Sequence, residues 1–156
     1  MDHQASAAPS LNQLATQATV HCLTGCSIGE ILGMVISTAL GWHDLPSVVV
    51  SIVLAFVFGY ALTVRPLLAS GIPAGRASRL AFASDTVSIT VMEVVDTATI
   101  LLIPGAMAAG LTDALFWGSL AASLAIAGVI AWPVNRWLIA RGRGHAVVHH
   151  AGHGAG

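Results

Sequence analysis

Four long apolar runs separated by short polar breaks dominate the chain: Ala18 to Trp42, Leu45 to Val64, Leu80 to Ile103 and Ala114 to Ile139. Each is about 20 residues or slightly longer, enough for a helix to cross a hydrocarbon core of ~30 Å. Trp42, His43, Asp44 and Pro46 make a tight turn between the first two runs, and Pro104, Gly105, Gly110 and Asp113 bracket another between the last two. The pattern predicts an all-α fold: a polytopic membrane protein with four transmembrane helices arranged as two helical hairpins. Residues 65–79, "RPLLASGIPAGRASR", read as the loop between the hairpins. That loop lacks the Gly-Lys-Ser/Thr ending with which a P-loop reaches phosphate and magnesium. Ser10 is a candidate cap ahead of helix-forming residues, so the first helix is expected to begin in water and run on into the membrane. The chain thus divides into a polar, partly helical extension over 1–17, a four-helix domain over 18–139 and a flexible Gly/His-rich tail over 140–156. The first sixteen residues carry neither a basic n-region nor a compact apolar core, so no cleavable signal peptide is read there and the N-terminus is expected to be retained.

Composition agrees with this pattern and sets an orientation. Of 156 residues, 56% are hydrophobic and only 8% charged, too few for a water-facing globular surface. Six arginines, no lysines and seven acids leave a net charge of −1, which offers no basic field for nucleic acid. Arg65, Arg76 and Arg79 share the central break, while Arg136, Arg141 and Arg143 follow the last run. With four spans both groups face the same side, and excess arginine marks that side as cytoplasmic, with both termini there. Trp117 and Trp137 stand about 30 Å apart on one helix at ~1.5 Å per residue, the spacing of two interfacial belts. Pro133 is expected to kink that helix, with Asn135 using the freed backbone group.

The first run holds "HCLTGCSIGE", residues 21–30, where a plain anchor would carry leucines. On a helix His21, Gly25, Gly29 and Gly33 form one row, and Cys22, Cys26, Glu30 and Met34 form the next, about 100° round. A small-xxx-small ridge lets a neighbouring helix approach closely, so the glycines mark a protein-facing side and draw Glu30 inward. Cys22 and Cys26 are close enough to ligate one ion, with Cβ atoms ~5–6 Å apart. Thiols with thioethers favour copper(I), then zinc. A disulfide suits parallel Cβ vectors poorly, and His21 joins the ion only if the helix bends. Simple packing is the competing reading, because free cysteines are common small core residues.

The third run, "ASDTVSITVMEVVDTATILL", places Asp85, Ser88, Met92, Asp96 and Thr99 on one face with Glu93 on its shoulder. Acids inside a membrane helix are costly unless paired, protonated or hydrated, so Asp85, Glu93, Asp96 and Glu30 are candidates for an ion or proton pathway. The alternative is structural, with the acids accepting hydrogen bonds or pairing with Arg79. The second and fourth runs, with Ser51, Gly59, Tyr60, Ser119 and Ser123, read as scaffold. Four tail histidines, His145, His149, His150 and His153, add weak metal ligands of low complexity.

The segments "HCLTGCSIGE", "FVFGYALT", "VMEVVD", "PGAMAAGL", "FWGSL" and "WPVNRWLIARGRGHA" resemble those of a bacterial membrane family, the domain-of-unknown-function 4396 family, over about residues 20 to 150. The resemblance implies an intact four-helix unit in a bacterial inner membrane and brings no substrate with it. Three expectations follow from the residues. The first is a carrier or sensor of a soft metal, copper or zinc, held by Cys22 and Cys26 with His21, Met34 and Met92 as further ligands; a path through so narrow a bundle calls for a homo-oligomer. The second is a proton or cation pathway through the acids. The third is an assembly subunit of a larger membrane complex that docks through the glycine ridge. No hydrolase, kinase or dinucleotide signature is present, so an enzyme is not expected.

Overall fold

The computed structural model describes residues 9–43 and 45–142. Asp44, Arg143, the tail histidines and residues 1–8 of the N-terminal extension lie outside the described residues. Four helices follow one another: α1 (Leu11–Leu40), α2 (Leu45–Ala69), α3 (Ala74–Leu102) and α4 (Ala114–Ala140), with a short 3-10 turn at Ala106–Ala108 before α4. Among the described residues the fold is all-helical.

Local chemistry sets the ends. Ser10 and Gln13 form a reciprocal capping box at the start of α1, Ser10 Oγ accepting from the Gln13 amide and Gln13 Oε1 accepting from the Ser10 amide at 2.7 Å. Gly41, at φ +66°, closes the other end as the Trp42 amide reaches back to Ser37 O. Gly71, at φ +86°, does the same for α2, with the Ile72 amide bonded to Leu67 O. The stretch 65–79 is therefore much less of a loop than its Pro and Gly content implies. The α2 helix continues through Pro66 to Ala69, and α3 begins at Ala74 behind Pro73, whose carbonyl accepts from Arg76 and Ala77. A proline at a helix start sacrifices no helical hydrogen bond, and the Ala and Arg residues after it favour helix.

In the bundle α1 packs on α2 and α4, α3 packs on the same two helices, and α1 meets α3 across the shorter diagonal. The α1–α2 seam is very close. A Cβ on Gly25 would stand 2.9 Å from Gly59 Cα, one on Gly29 would collide with the Ala55 backbone, and one on Gly33 with Ser51. Each step of four forward on α1 meets a step of four back on α2, the register of an antiparallel pair joined by small residues. Ile89 of α3 covers Gly59 from the other side, its Cδ1 only 2.5 Å from where a Cβ would be.

The distribution of polarity is inside out. Large apolar side chains such as Val20, Val53, Phe82, Val94, Leu102 and Val129 are exposed, while Ser37, Asp85, Ser88, Glu93, Asp96, Ser123 and Asn135 are buried. A water-soluble domain reverses that preference. By length and composition α1, α2 and α4 can each cross a membrane. Interspersed polar groups make α3 less apolar, but its 29 residues are long enough to span and it turns its acids into the bundle.

Candidate functional site

The α1 and α3 helices run in the same direction along the diagonal and build a polar column between them. Near one end Ser84 Oγ donates to Asp85 Oδ1 at 2.6 Å. Next to it Ser88 Oγ donates to Cys22 Sγ at 3.3 Å. One turn further Cys26 lies against the Glu93 carboxyl group, and one turn beyond that Glu30 faces Asp96 and Glu93. The partners keep a nearly constant offset in sequence, as parallel helices of equal rise require. Met92 and Ile89 pack beside the two cysteines with Ala55, Ala127 and Ala131.

The three acids at the far end of the column form the floor of a cavity of about 550 Å³. Its walls come from Met34 and Thr38 of α1, Ser51 and Ile52 of α2, Ile100 of α3, and Phe116 and Leu120 of α4. Its rim is made by the two breaks at that end of the bundle, Trp42 and His43 on one side and residues 106–110 on the other. Glu30, Glu93 and Asp96 retain only 8%, 5% and 3% of their exposure. Both oxygens of Glu30, Oε1 of Glu93 and Oδ1 of Asp96 nevertheless have no hydrogen-bond partner among the described residues. Buried carboxyl oxygens without partners are costly, and like charges this close repel one another. The group is stable when protons, water or a cation occupy the space in front of it.

The residues expected to hold a metal do not all meet. Cys22, Cys26 and Met92 share one buried cluster. His21 instead turns along the α1–α2 seam, where Nε2 lies 2.9 Å from Thr63 Oγ1, as the roughly 100° between its direction and that of Cys22 requires. Met34, two turns beyond Cys26, lines the vestibule beside Ile31 and Phe116. Among the described residues no group of three or more His, Cys, Asp or Glu side chains is arranged to hold a metal ion. Gly25, Gly29 and Gly33 are occupied within the chain, where α2 covers them.

The second and fourth helices contribute more than scaffold, since Ser51, Ile52, Ser119 and Phe116 line the vestibule. Nothing in their composition marks them, because an apolar wall residue and a lipid-facing one look alike in sequence. Asn135 does not serve the backbone freed by Pro133; its Nδ2 donates to Thr19 Oγ1 at 2.9 Å and ties α4 to α1. Trp132 Nε1 to Thr16 and Arg136 Nε to Asn12 Oδ1, at 3.1 and 2.8 Å, extend that tie towards the α1 N-terminus.

A helical bundle with an apolar exterior, an acid-floored vestibule open at one end and a buried polar column below it defines a membrane-spanning helical protein. Residues 11–144 match the family model described as Domain of unknown function (DUF4396), and the chain belongs to that family. No curated protein and no solved structure matches it.

Proposed function

We propose that the protein is a non-enzymatic proton or cation pathway of the bacterial inner membrane, entered through the vestibule and carried by Glu30, Glu93 and Asp96. One observation supports this reading above all: three carboxyl groups, each more than nine-tenths buried, direct unpartnered oxygens towards a cavity open to one side of the membrane. Ionisable residues are costly inside a membrane and, where they face a water-accessible cavity, mark ion pathways and proton relays. Cys26, Cys22, Ser88 and Asp85 continue the polar line towards the opposite end. At that end Arg65, Arg76, Arg79, Arg136 and Arg141 are all exposed. The positive-inside rule then makes it the cytoplasmic end, with the vestibule facing outward and the termini inside. Vestibule and column belong to one chain, so this reading requires no second copy.

The test is flux into proteoliposomes under a clamped potential. Asp96→Asn and Glu30→Gln each lower proton or monovalent-cation flux by about tenfold or more, while Cys22→Ser/Cys26→Ser leaves it within about twofold. Flux unchanged in both acid variants defeats the reading.

A second reading is favoured by the burial of Cys22, Cys26 and Met92 in one cluster directly below the acids. Two thiols and a thioether are a soft donor set suited to copper(I), with zinc behind it, as cargo arriving through the acidic vestibule. It predicts stoichiometric copper(I) binding that the double serine variant abolishes. Equal binding by wild type and variant removes the column as its site.

A further inference from the structure

The vestibule differs from a bare ion entry in what its walls are made of. A path for a hydrated inorganic ion is lined by groups that replace or hold water. Here Met34, Ile52, Ile100, Phe116 and Leu120 supply most of the wall above the acids, with the hydroxyls of Thr38, Ser51 and Ser119 between them and Trp42 at the rim. A volume of about 550 Å³ falls within the ~300–1,000 Å³ range of pockets that enclose organic molecules. The acids of the described lining lie together at the floor, where Glu30, Glu93 and Asp96 hold unpartnered oxygens, and the imidazole of His43 stands at the rim. The α2 and α4 sides offer Ser47, Ser51 and Ser119 but no cation to neutralise the acids. An apolar body fits the walls, a positive centre fits the floor, and the two aromatic rings at the wall and rim suit a diffuse cation.

We propose that the vestibule binds a lipophilic organic cation, an amine or quaternary onium compound whose charged centre sits against Glu30 and Asp96. This deepens the pathway reading by naming the class of substrate that enters the site, and it rests on the same acids. Water or a small ion satisfies the carboxyl oxygens but leaves the apolar walls wetted, whereas an amphiphilic cation dries the walls and neutralises the floor in one step. Neutral molecules of the same shape gain only the first of these terms.

The probe is tetraphenylphosphonium, titrated calorimetrically into detergent-purified full-length protein at fixed pH, with protein-free micelles as the partition control. Saturable binding near one cation per chain is expected. Glu30→Gln and Asp96→Asn each weaken it by about tenfold, and Ile52→Trp, which fills the apolar wall and leaves every carboxyl in place, weakens it comparably. All three variants are first checked for a monodisperse profile and unchanged helicity, and the wall variant keeps the test decisive should an acid variant fail to fold. Heat no greater than that of empty micelles overturns the proposal, as does binding that neither the acid nor the wall variants alter. The liposome flux assay separates the two readings. Flux carried by the acids without phosphonium binding refutes the organic-cation assignment alone; phosphonium binding without flux refutes the pathway alone.

Discussion

Asp96, Glu93 and Glu30 are the residues whose chemistry most exceeds their packing role. Each was conspicuous in the sequence because a membrane helix rarely carries an acid, but the sequence did not say whether they would meet one another, a cation or an arginine. Their meeting depends on α1 and α3 running parallel at a matched register, which no single helix encodes. The cysteines illustrate the converse. Their i, i+4 spacing guaranteed that Cys22 and Cys26 would be neighbours, and both are now 1% exposed. In folded protein a membrane-impermeant maleimide should therefore label neither at an appreciable rate, with full labelling after denaturation. Rapid labelling of the native protein would show that the column opens to water. Its position beside Pro133 makes Asn135 a candidate partner for the freed backbone, but in the fold it is a partner for Thr19. A double-mutant cycle on Asn135→Ala and Thr19→Ala should give a coupling of about 0.6 kcal/mol, the usual size of a hydrogen bond between membrane helices, and zero coupling would show that the bond contributes nothing.

At the scale of elements, the glycine row of α1 was legible as a close-approach surface, but its partner was not. It fits α2 through Gly59, Ala55 and Ser51, residues that look unremarkable in an apolar run. Two substitutions separate packing from helix propensity. Gly29→Ala puts a methyl group into the Ala55 backbone, so the helices must move apart; a loss of roughly 1–3 kcal/mol is expected, measured as a lower thermal midpoint in detergent. Gly118→Ala lies on α4, where a Cβ meets nothing within 4 Å. Alanine there should be neutral or raise stability by up to about 1 kcal/mol, because glycine weakens a helix interior. Equal effects at the two positions would mean that the α1–α2 seam is not the constraint. The facing ends of α2 and α3 are the least legible in the sequence. Pro66 and Pro73 suggested a long loop, yet one lies within a helix and the other caps one, leaving a break centred on Gly71.

For the whole molecule, the bundle has two unlike ends. One carries the exposed arginines, the other the open vestibule, and the membrane separates them. Cysteine reporters in a Cys22→Ser/Cys26→Ser background give the orientation directly. In intact spheroplasts an impermeant maleimide should reach a cysteine replacing His43 at the vestibule rim, and should reach one replacing Ser70 in the break between α2 and α3 only after lysis. The opposite pattern would invert the protein in the membrane. The exterior also explains why α3 can be inserted despite its composition, since its acids and Ser88 face the bundle while Phe82, Val87 and Val94 remain exposed.

The sequence by itself determined the number of long helices, the apolar middle of each, the membrane as solvent and the helices that carry reactive groups. These follow from local quantities: apolar run length, helical period and the position of arginine. Tertiary structure alone decided that the acids share one floor, that this floor opens to one side of the membrane, that His21 and Met34 stand apart from the thiols, and that α2 and α4 supply the apolar walls. Those outcomes depend on register and rotation between helices. Both are set by how small residues such as Gly29 and Ala55 let backbones approach, a pairwise property that no segment of the chain holds on its own.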